Sequence, residues 1–333
     1  MKALVISGGG VKGAFAVGVL KGLMDQYLAQ NSGATANDFF KQYRIISGTS
    51  TGALITPLAA MGRMEDLIKL YTDGSKLESY YQWNSDGNFG NIFSWYKSVF
   101  NVDGLKQELR DRLAADYNIL MEPDSPTIYF ATVSMTTGER VYFSNKNNDF
   151  NNPDYRIQKV DSLGQMVDAI MASANQPVFA PLVSMKNDAT GKNEEYADGG
   201  IREYIPIQAV LDQGATEIDV IVNSPLFFRR EYPYPDLLKI LNRTVELLTD
   251  EIGDSNVQYA RRLIDLKLKN TPGMTMQIFR PPLDGYGKNK DKEFPFKDSN
   301  LDFDAGKMMM LFDMGIEVSK KTIPDTYGVY PPR

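Results

Sequence analysis

A serine between two glycines is the clearest candidate for covalent chemistry in this chain. Residues 48–52 read Gly-Thr-Ser-Thr-Gly, with Ser50 at the centre. In hydrolases with a G-x-S-x-G motif, a sharp turn from a strand into a helix exposes the serine hydroxyl, and the glycines leave room for close backbone contacts. A predicted strand over Arg44–Ser47 and a helix of small residues from Ala53 supply that context. An ordinary turn has a similar composition, but the flanking elements favour Ser50 as a nucleophile.

A serine hydroxyl needs a base to take its proton, and few bases are present here. The chain has 0 histidines and 0 cysteines, which excludes a Ser–His–Asp triad, a thiol nucleophile and zinc sites that use these residues. Asp198 is the best candidate because it ends a short predicted strand and precedes two glycines; an ordinary Asp-Gly turn is the alternative. To act as a base, the carboxylate needs partial burial that raises its pKa, and we expect Val178, Phe179 and Ile201 to provide it.

A glycine-rich loop, GGGVKG at residues 8–13, lies between a predicted strand and a predicted helix. It contains G-x-G-x-x-G, a weak signal that several anion-binding folds share. A dinucleotide site needs an acidic residue at the end of the second strand, and a Walker loop needs Gly-Lys-Ser/Thr; this chain has neither. The loop is therefore predicted to present backbone N–H groups to an anion, which can be a transient oxyanion.

The overall composition is that of a globular protein and argues against several functions. The chain has 333 residues, with 36 basic and 42 acidic side chains and a net charge of −6 at pH 7. This balance argues against nucleic-acid binding, and no run of about 20 apolar residues is present that would span a bilayer. Without cysteine or a recognisable secretion signal, a cytoplasmic protein is expected.

Strand-like and helix-like segments alternate along the chain, which predicts an α/β fold. No linker rich in Pro, Gly or Ser divides it, so a single domain over residues 1–333 is expected. Paired strands are predicted at Thr127–Ser134 and Arg140–Ser144. The long apolar pattern of Asp236–Lys269 predicts two helices interrupted near Gly253, and Asp304 is predicted to cap a final helix.

Three motifs occur in the order and context found in the patatin-like phospholipases. The glycine loop of residues 8–13, the serine motif of residues 48–52 and Asp198-Gly199-Gly200 resemble that family's motifs. Residues 172–181, ASANQPVFAP, are similar to the family's A-S-x-A-x-P-x-x-F segment, which precedes the catalytic aspartate. The resemblance is strong over residues 1–225 and looser over residues 226–333.

The resemblance implies a three-layer α/β/α fold around a mainly parallel sheet, with the helices and strand of residues 226–333 packed on the core of residues 1–225. It also implies a set of functional positions: a dyad of Ser50 and Asp198, an oxyanion hole at Gly8, Gly9, Gly10 and Lys12, and a nucleophile elbow at Gly48 and Gly52. Many members have arginine where this chain has Lys12, which keeps the positive charge but loses the planar set of donors.

The activity that the resemblance implies is that of a lipid acyl hydrolase of the phospholipase A or lysophospholipase type. It would cleave phospholipid or lysophospholipid through an acyl-serine, without metal or other cofactor, in peripheral contact with a membrane and without nucleic acid. A carboxylesterase for soluble short-chain esters and a non-catalytic lipid-binding module are the alternatives.

An aromatic segment at Tyr80–Phe100 is the candidate substrate-facing region. Aromatic residues occupy 8 of its 21 positions, against 11% in the whole chain, and it contains both tryptophans. It is predicted to be a lid, an acyl-chain channel or an interfacial anchor, with core packing as the open alternative. The candidate contact residues are Trp83, Phe89, Phe93 and Trp95.

Overall fold

The computed structural model describes residues 1–73, 78–84, 98–147, 152–225, 237–268, 273–282 and 303–320. The strands in these ranges are β1 (Lys2–Ile6), β2 (Tyr43–Thr49), β3 (Gln82–Trp83), β4 (Phe100–Asn101), β5 (Thr127–Ser134), β6 (Arg140–Ser144), β7 (Tyr155–Lys159), β8 (Val183–Lys186), β9 (Asn193–Asp198), β10 (Glu217–Ile221) and β11 (Thr275–Phe279). The helices are α1 (Gly13–Gln30), α2 (Ala36–Phe40), α3 (Thr51–Ala60), α4 (Met64–Thr72), α5 (Asp103–Ala114), α6 (Tyr117–Met121), α7 (Leu163–Ala174), α8 (Gln208–Asp212), α9 (Leu237–Leu268) and α10 (Ala305–Ser319). Phe89, Phe93 and Trp95 lie outside the described residues.

The central sheet has nine strands and is mainly parallel. Its inner strands are short apolar runs, such as KALVI in β1, which suit parallel strands covered on both faces. Strands β11, β10, β1, β2 and β5 lie side by side and parallel. Strand β6 then pairs antiparallel with β5, and β7 pairs parallel with β6.

Strand β9 lies beyond the end of β2, along the same edge of β5. Strand β2 ends with Thr49 opposite Ala131 of β5. Strand β9 pairs antiparallel with the next residues of β5, and its last residue, Asp198, is opposite Thr132. The end of β9 therefore lies beside the turn that follows β2.

Helices cover both faces of the sheet, which confirms the predicted three-layer α/β/α fold. Side chains alternate along β1, as a strand buried on both faces requires. Leu4 and Ile6 belong to a core shared with α1, α3, α4, α7 and α10. Ala3 and Val5 belong to a second core on the opposite face, shared with α8 and α9.

The C-terminal elements pack on the motif-bearing part of the chain. Helix α10 lies against α1 so closely that a Cβ at Gly18 would overlap the carbonyl of Phe312, and one at Gly315 would overlap the carbonyl of Phe15. Strand β11 extends the sheet beside β10.

Most predicted elements are present, with one clear error. The strands Thr127–Ser134 and Arg140–Ser144 are confirmed, and Asp304 caps α10 by accepting the Lys307 N–H at 2.8 Å. The prediction of two helices broken near Gly253 is wrong, because α9 is continuous. Gly253 allows close packing instead, since a Cβ there would lie 2.8 Å from the ring of Tyr204. Among the described helices, none combines the length and apolar character that crossing a membrane requires.

Candidate functional site

The turn between β2 and α3 holds Ser50 in a backbone conformation that side chains seldom adopt. Its φ is 56°, in the left-handed region, and residues of this kind concentrate where function imposes strain. The flanking glycines permit the tight turn: a Cβ at Gly48 would overlap the carbonyl of Gly52, and a Cβ at Gly52 would overlap that of Ile6. The turn places Ser50 in the wall of a large cleft.

Ser173, near the end of α7, supports this turn. Its Oγ accepts the N–H of Ser50 at 3.1 Å and donates to the carbonyl of Ala131 on β5 at 2.6 Å. The residue is fully buried, and an unpaired buried N–H costs about 1–3 kcal/mol, so Ser173 stabilises the strained backbone. Sequence reasoning treated Ser173 only as a member of the ASANQPVFAP segment, which was the one signal for this role.

Asp198 lies beside Ser50 because of the pairing of β9 with β5. Both residues line the same cleft, the Ser50 side chain lowers the pKa of the Asp198 carboxyl, and the Oδ1 of Asp198 accepts the N–H of Gly200 at 2.7 Å. Only 7% of the residue is exposed. The structure thus brings together the two side chains that were predicted from separate motifs.

Burial gives Asp198 the character of a base. Burial raises its pKa from 3.8 to about 6, and the Ser50 side chain and the hydrogen bond from the Gly200 N–H oppose part of that rise. A carboxylate with this pKa is ionised at neutral pH and holds a proton more strongly than an exposed one.

The walls around Asp198 differ in part from the prediction. Phe179 and Ile201 line the cleft as expected, but Val178 does not, since 48% of it is exposed to solvent. Tyr81 and Tyr204 line the cleft as well. Burial raises the pKa of Tyr81 to about 12, and the negative charge of Asp198 adds to this effect.

The glycine loop presents unused N–H donors to the cleft, but not every residue predicted to supply one does so. Gly8 is engaged, because its N–H donates to the carbonyl of Tyr204 at 3.2 Å, and it does not line the cleft. Gly9 and Gly10 have φ values of 145° and 57°, and they line the cleft together with Val11. Within the described ranges, their N–H groups have no acceptor, so two backbone donors are available to an anion.

Lys12 supports the loop from its buried side and is not part of the cleft wall. Its Nζ donates to the Oγ of Ser224 at 3.2 Å, and the same Oγ lies 3.1 Å from the hydroxyl of Tyr204. Only 3% of Lys12 is exposed. Its charge also partly opposes the rise that burial causes in the pKa of Asp250 on α9. The predicted place of Lys12 among the oxyanion donors is therefore corrected to a position behind them.

The cleft has apolar walls and is open to solvent. Together with the open solvent at its mouth, the cleft encloses about 980 Å³. Its apolar and aromatic wall is formed by Val11, Leu54, Tyr71, Tyr81, Leu105, Phe179, Val245 and Phe303. Such a wall suits a long apolar group held next to a few polar atoms at one end.

The aromatic segment contributes less to the cleft than predicted, as far as its described residues show. Trp83 is 56% exposed, packs with its ring 4.9 Å from that of Phe100, and does not line the cleft. Tyr81 does line it, with its ring 5.1 Å from that of Phe303. In the part of the chain that the structure describes, no group of three or more acidic side chains is placed to hold a metal ion.

Comparison with known proteins identifies the family of this chain. A family profile described as patatin-like phospholipase matches residues 4–211, which is more than half of the chain. The crystal structure of VipD from Legionella pneumophila is similar at 12% sequence identity and a TM-score of 0.42, covering 96% of this chain and 66% of the VipD chain. No curated protein shows a significant match. The profile match includes the glycine loop, Ser50 and Asp198, and the chain belongs to the patatin-like phospholipase family, whose members are lipid acyl hydrolases.

Proposed function

We propose that this protein hydrolyses fatty-acyl esters of phospholipids or lysophospholipids, with Ser50 as the nucleophile and Asp198 as the base. The observation that carries the proposal is that Ser50 and the buried carboxylate of Asp198 line the same cleft, where the Ser50 side chain lowers the pKa of Asp198. This arrangement places a nucleophile beside a group able to take its proton. Because the whole chain has 0 histidines, the base is a different side chain from that of the usual triad.

The reaction begins when the Oγ of Ser50 attacks the ester carbonyl carbon and Asp198 takes the hydroxyl proton. The carbonyl oxygen becomes an oxyanion that accepts hydrogen bonds from the N–H groups of Gly9 and Gly10. One such donor typically contributes about 3–4 kcal/mol to the transition state. The bond to the alcohol then breaks, Asp198 returns its proton to the leaving oxygen, and the acyl group stays on Ser50.

Water completes the reaction by attacking the acyl-serine. Asp198 takes a proton from the water, the same two N–H groups hold the second oxyanion, and the proton passes to the Oγ of Ser50 as the fatty acid leaves. Each step uses the same four groups of the chain, and the residues that carry them all line the apolar cleft.

The apolar wall of the cleft favours a lipid over a small soluble ester. Leu54, Leu105 and Phe179 offer no hydrogen bonds to the part of a substrate beyond the reacting ester. An acyl chain needs none, and its burial there is favourable because apolar surface leaves water. Peripheral contact with a membrane is part of this proposal, because the substrate would be a membrane lipid. A cytoplasmic location is also part of it and is supported by the count of 0 cysteines.

The proposal is tested by measuring fatty acid released from vesicles that contain both phospholipid and lysophospholipid. We expect Ser50→Ala and Asp198→Asn to lower the rate on the order of 10³-fold or more. Ser184→Ala, the same chemical change at an exposed serine, should leave the rate unchanged.

Equal release by wild type and Ser50→Ala would overturn the proposal. Release from soluble short-chain esters alone would indicate the carboxylesterase. Lipid binding without release from any ester would indicate the non-catalytic module.

A further inference from the structure

The outer face of α9 changes character along its length. Among the positions whose side chains the structure describes, those exposed up to residue 248 are Leu237, Ile240, Thr244, Leu247 and Leu248, and none of these five is charged. From residue 251 onward, the described exposed positions are Glu251, Ser255, Tyr259, Arg262, Asp265 and Leu266. A helix face in water normally carries charged and polar side chains, so the first half of α9 departs from the pattern that the second half follows.

The apolar half of α9 is the half that borders the cleft. Val245 and Thr249 line the cleft, and Leu248 lies three residues from Val245, or about 60° around the helix axis. Leu248 is 60% exposed and Leu247 is 53% exposed. The apolar surface therefore begins at the cleft and continues outward, whereas the second half of α9 packs on the core beneath the sheet through Val257 and Ile264.

Two other segments that line the cleft also expose apolar side chains. Val178 lies between Pro177 and Phe179, which both line the cleft, and it is 48% exposed. Its φ of 74° is rare for a β-branched residue, and the Val99 N–H bonded to its carbonyl at 2.8 Å helps to hold the segment in place. Ile201 lines the cleft and is 38% exposed.

We propose that these residues form a rim that docks on the surface of a phospholipid bilayer. The rim consists of Leu237, Ile240, Thr244, Leu247 and Leu248 on α9, together with Val178 and Ile201. Their side chains would enter the acyl region, so that a lipid reaches the cleft without crossing water. This inference rests on the proposed function, because it assumes that the cleft takes an acyl chain.

The charge of the protein indicates which kind of bilayer the rim would bind. The chain has a net charge of −6, and the five described α9 positions that form the rim are uncharged. Attraction to anionic headgroups is therefore weak, and docking depends on burial of apolar side chains. The expected partner is a zwitterionic bilayer, bound with little dependence on salt.

The test measures co-sedimentation with phosphatidylcholine vesicles in the Ser50→Ala background, which prevents any hydrolysis. We expect Leu247→Ser combined with Leu248→Ser to weaken binding by about tenfold for each leucine that enters the bilayer. The matched control is Leu266→Ser, because Leu266 is 59% exposed on the same helix but lies in the second half. This control should bind like the parent protein, and high salt should change neither result.

Undiminished vesicle binding by the double variant, or an equal loss of binding in the Leu266→Ser control, would refute the proposed docking surface. The proposal would also be refuted if the parent protein formed a dimer that does not bind vesicles and if the double variant were monomeric. In that case the rim would be a contact between two copies of the chain. In the background that retains Ser50, the double variant should still cleave a soluble short-chain ester. If the wild type cleaves no ester, the proposed function fails, while vesicle binding by the Ser50→Ala protein still decides the docking surface.

Discussion

Acidification tests the role of Asp198, because burial raises the pKa of this carboxyl to about 6. Only the ionised carboxylate can take the proton of Ser50, so kcat/KM follows the ionised fraction of the free enzyme. One pH unit below the pKa, about one-tenth of the enzyme is ionised. We therefore expect kcat/KM at about pH 5 to be about a tenth of a plateau reached at about pH 8.

The assay uses initial rates on a soluble short-chain ester, since the charge of a vesicle surface would also change with pH. Circular dichroism at each pH confirms that the fold is unchanged. Tyr81, whose pKa burial raises to about 12, stays protonated over this range and does not contribute. A rate that is flat down to about pH 5, or a midpoint near the ordinary aspartate value of about 4, would refute this assignment.

The same ionisation has a consequence for stability. The pKa of Asp198 is 3.8 in the unfolded chain and about 6 in the folded protein, so the folded state binds more protons between these values. The free energy of unfolding therefore falls as the pH rises through this window, by about 3 kcal/mol for a change of about two in pKa. Asp198→Asn stays neutral, and we expect it to be more stable than wild type at about pH 8 and similar at about pH 4. Urea unfolding at both values measures this, and lower stability of the variant at the higher pH would contradict it.

Two further predictions concern residues that support the site, and a third concerns the number of domains. Ser173→Ala should lower kcat on a soluble ester by about tenfold with little change in KM, because the Ser50 N–H loses its acceptor; an unchanged kcat would count against this role. Gly52→Ala should destabilise the protein by about 2 kcal/mol or more in urea unfolding, because its Cβ overlaps the carbonyl of Ile6. Gly164→Ala, where the added Cβ would meet only the Oγ of Ser162 at 3.9 Å, should be neutral or stabilising, and equal effects of the two substitutions would contradict the argument. Tryptophan fluorescence and circular dichroism should report one shared unfolding transition if the chain is a single domain, whereas two separate transitions would argue for two units.

Local sequence patterns predicted the elements that carry the candidate site. The order of strand, serine motif and helix placed Ser50 at the end of β2, and the short strand before Asp198 is present as β9. Their meeting depends on the pairing of Asp198 with Thr132 of β5, which is a contact between distant parts of the chain. No local pattern contains that register, and only the family resemblance supplied it in advance.

Tyr204 is involved at two of the positions where the predictions differ from the structure. Its carbonyl takes the N–H of Gly8, and its ring packs on Gly253, where a helix break was predicted. A lone tyrosine carries no motif, so its place between the glycine loop, Asp198 and α9 follows only from the tertiary fold. Strands β7 and β8 were missed for a related reason, since such short, partly exposed strands form through pairing rather than through a strong local pattern.

The most direct test of the central claim is to label the protein with a fluorophosphonate and locate the adduct by peptide mass spectrometry. The account predicts a single adduct on the Oγ of Ser50, absent from Ser50→Ala and formed far more slowly in Asp198→Asn. An adduct on another serine, or rapid labelling that does not depend on Asp198, would contradict the proposed dyad.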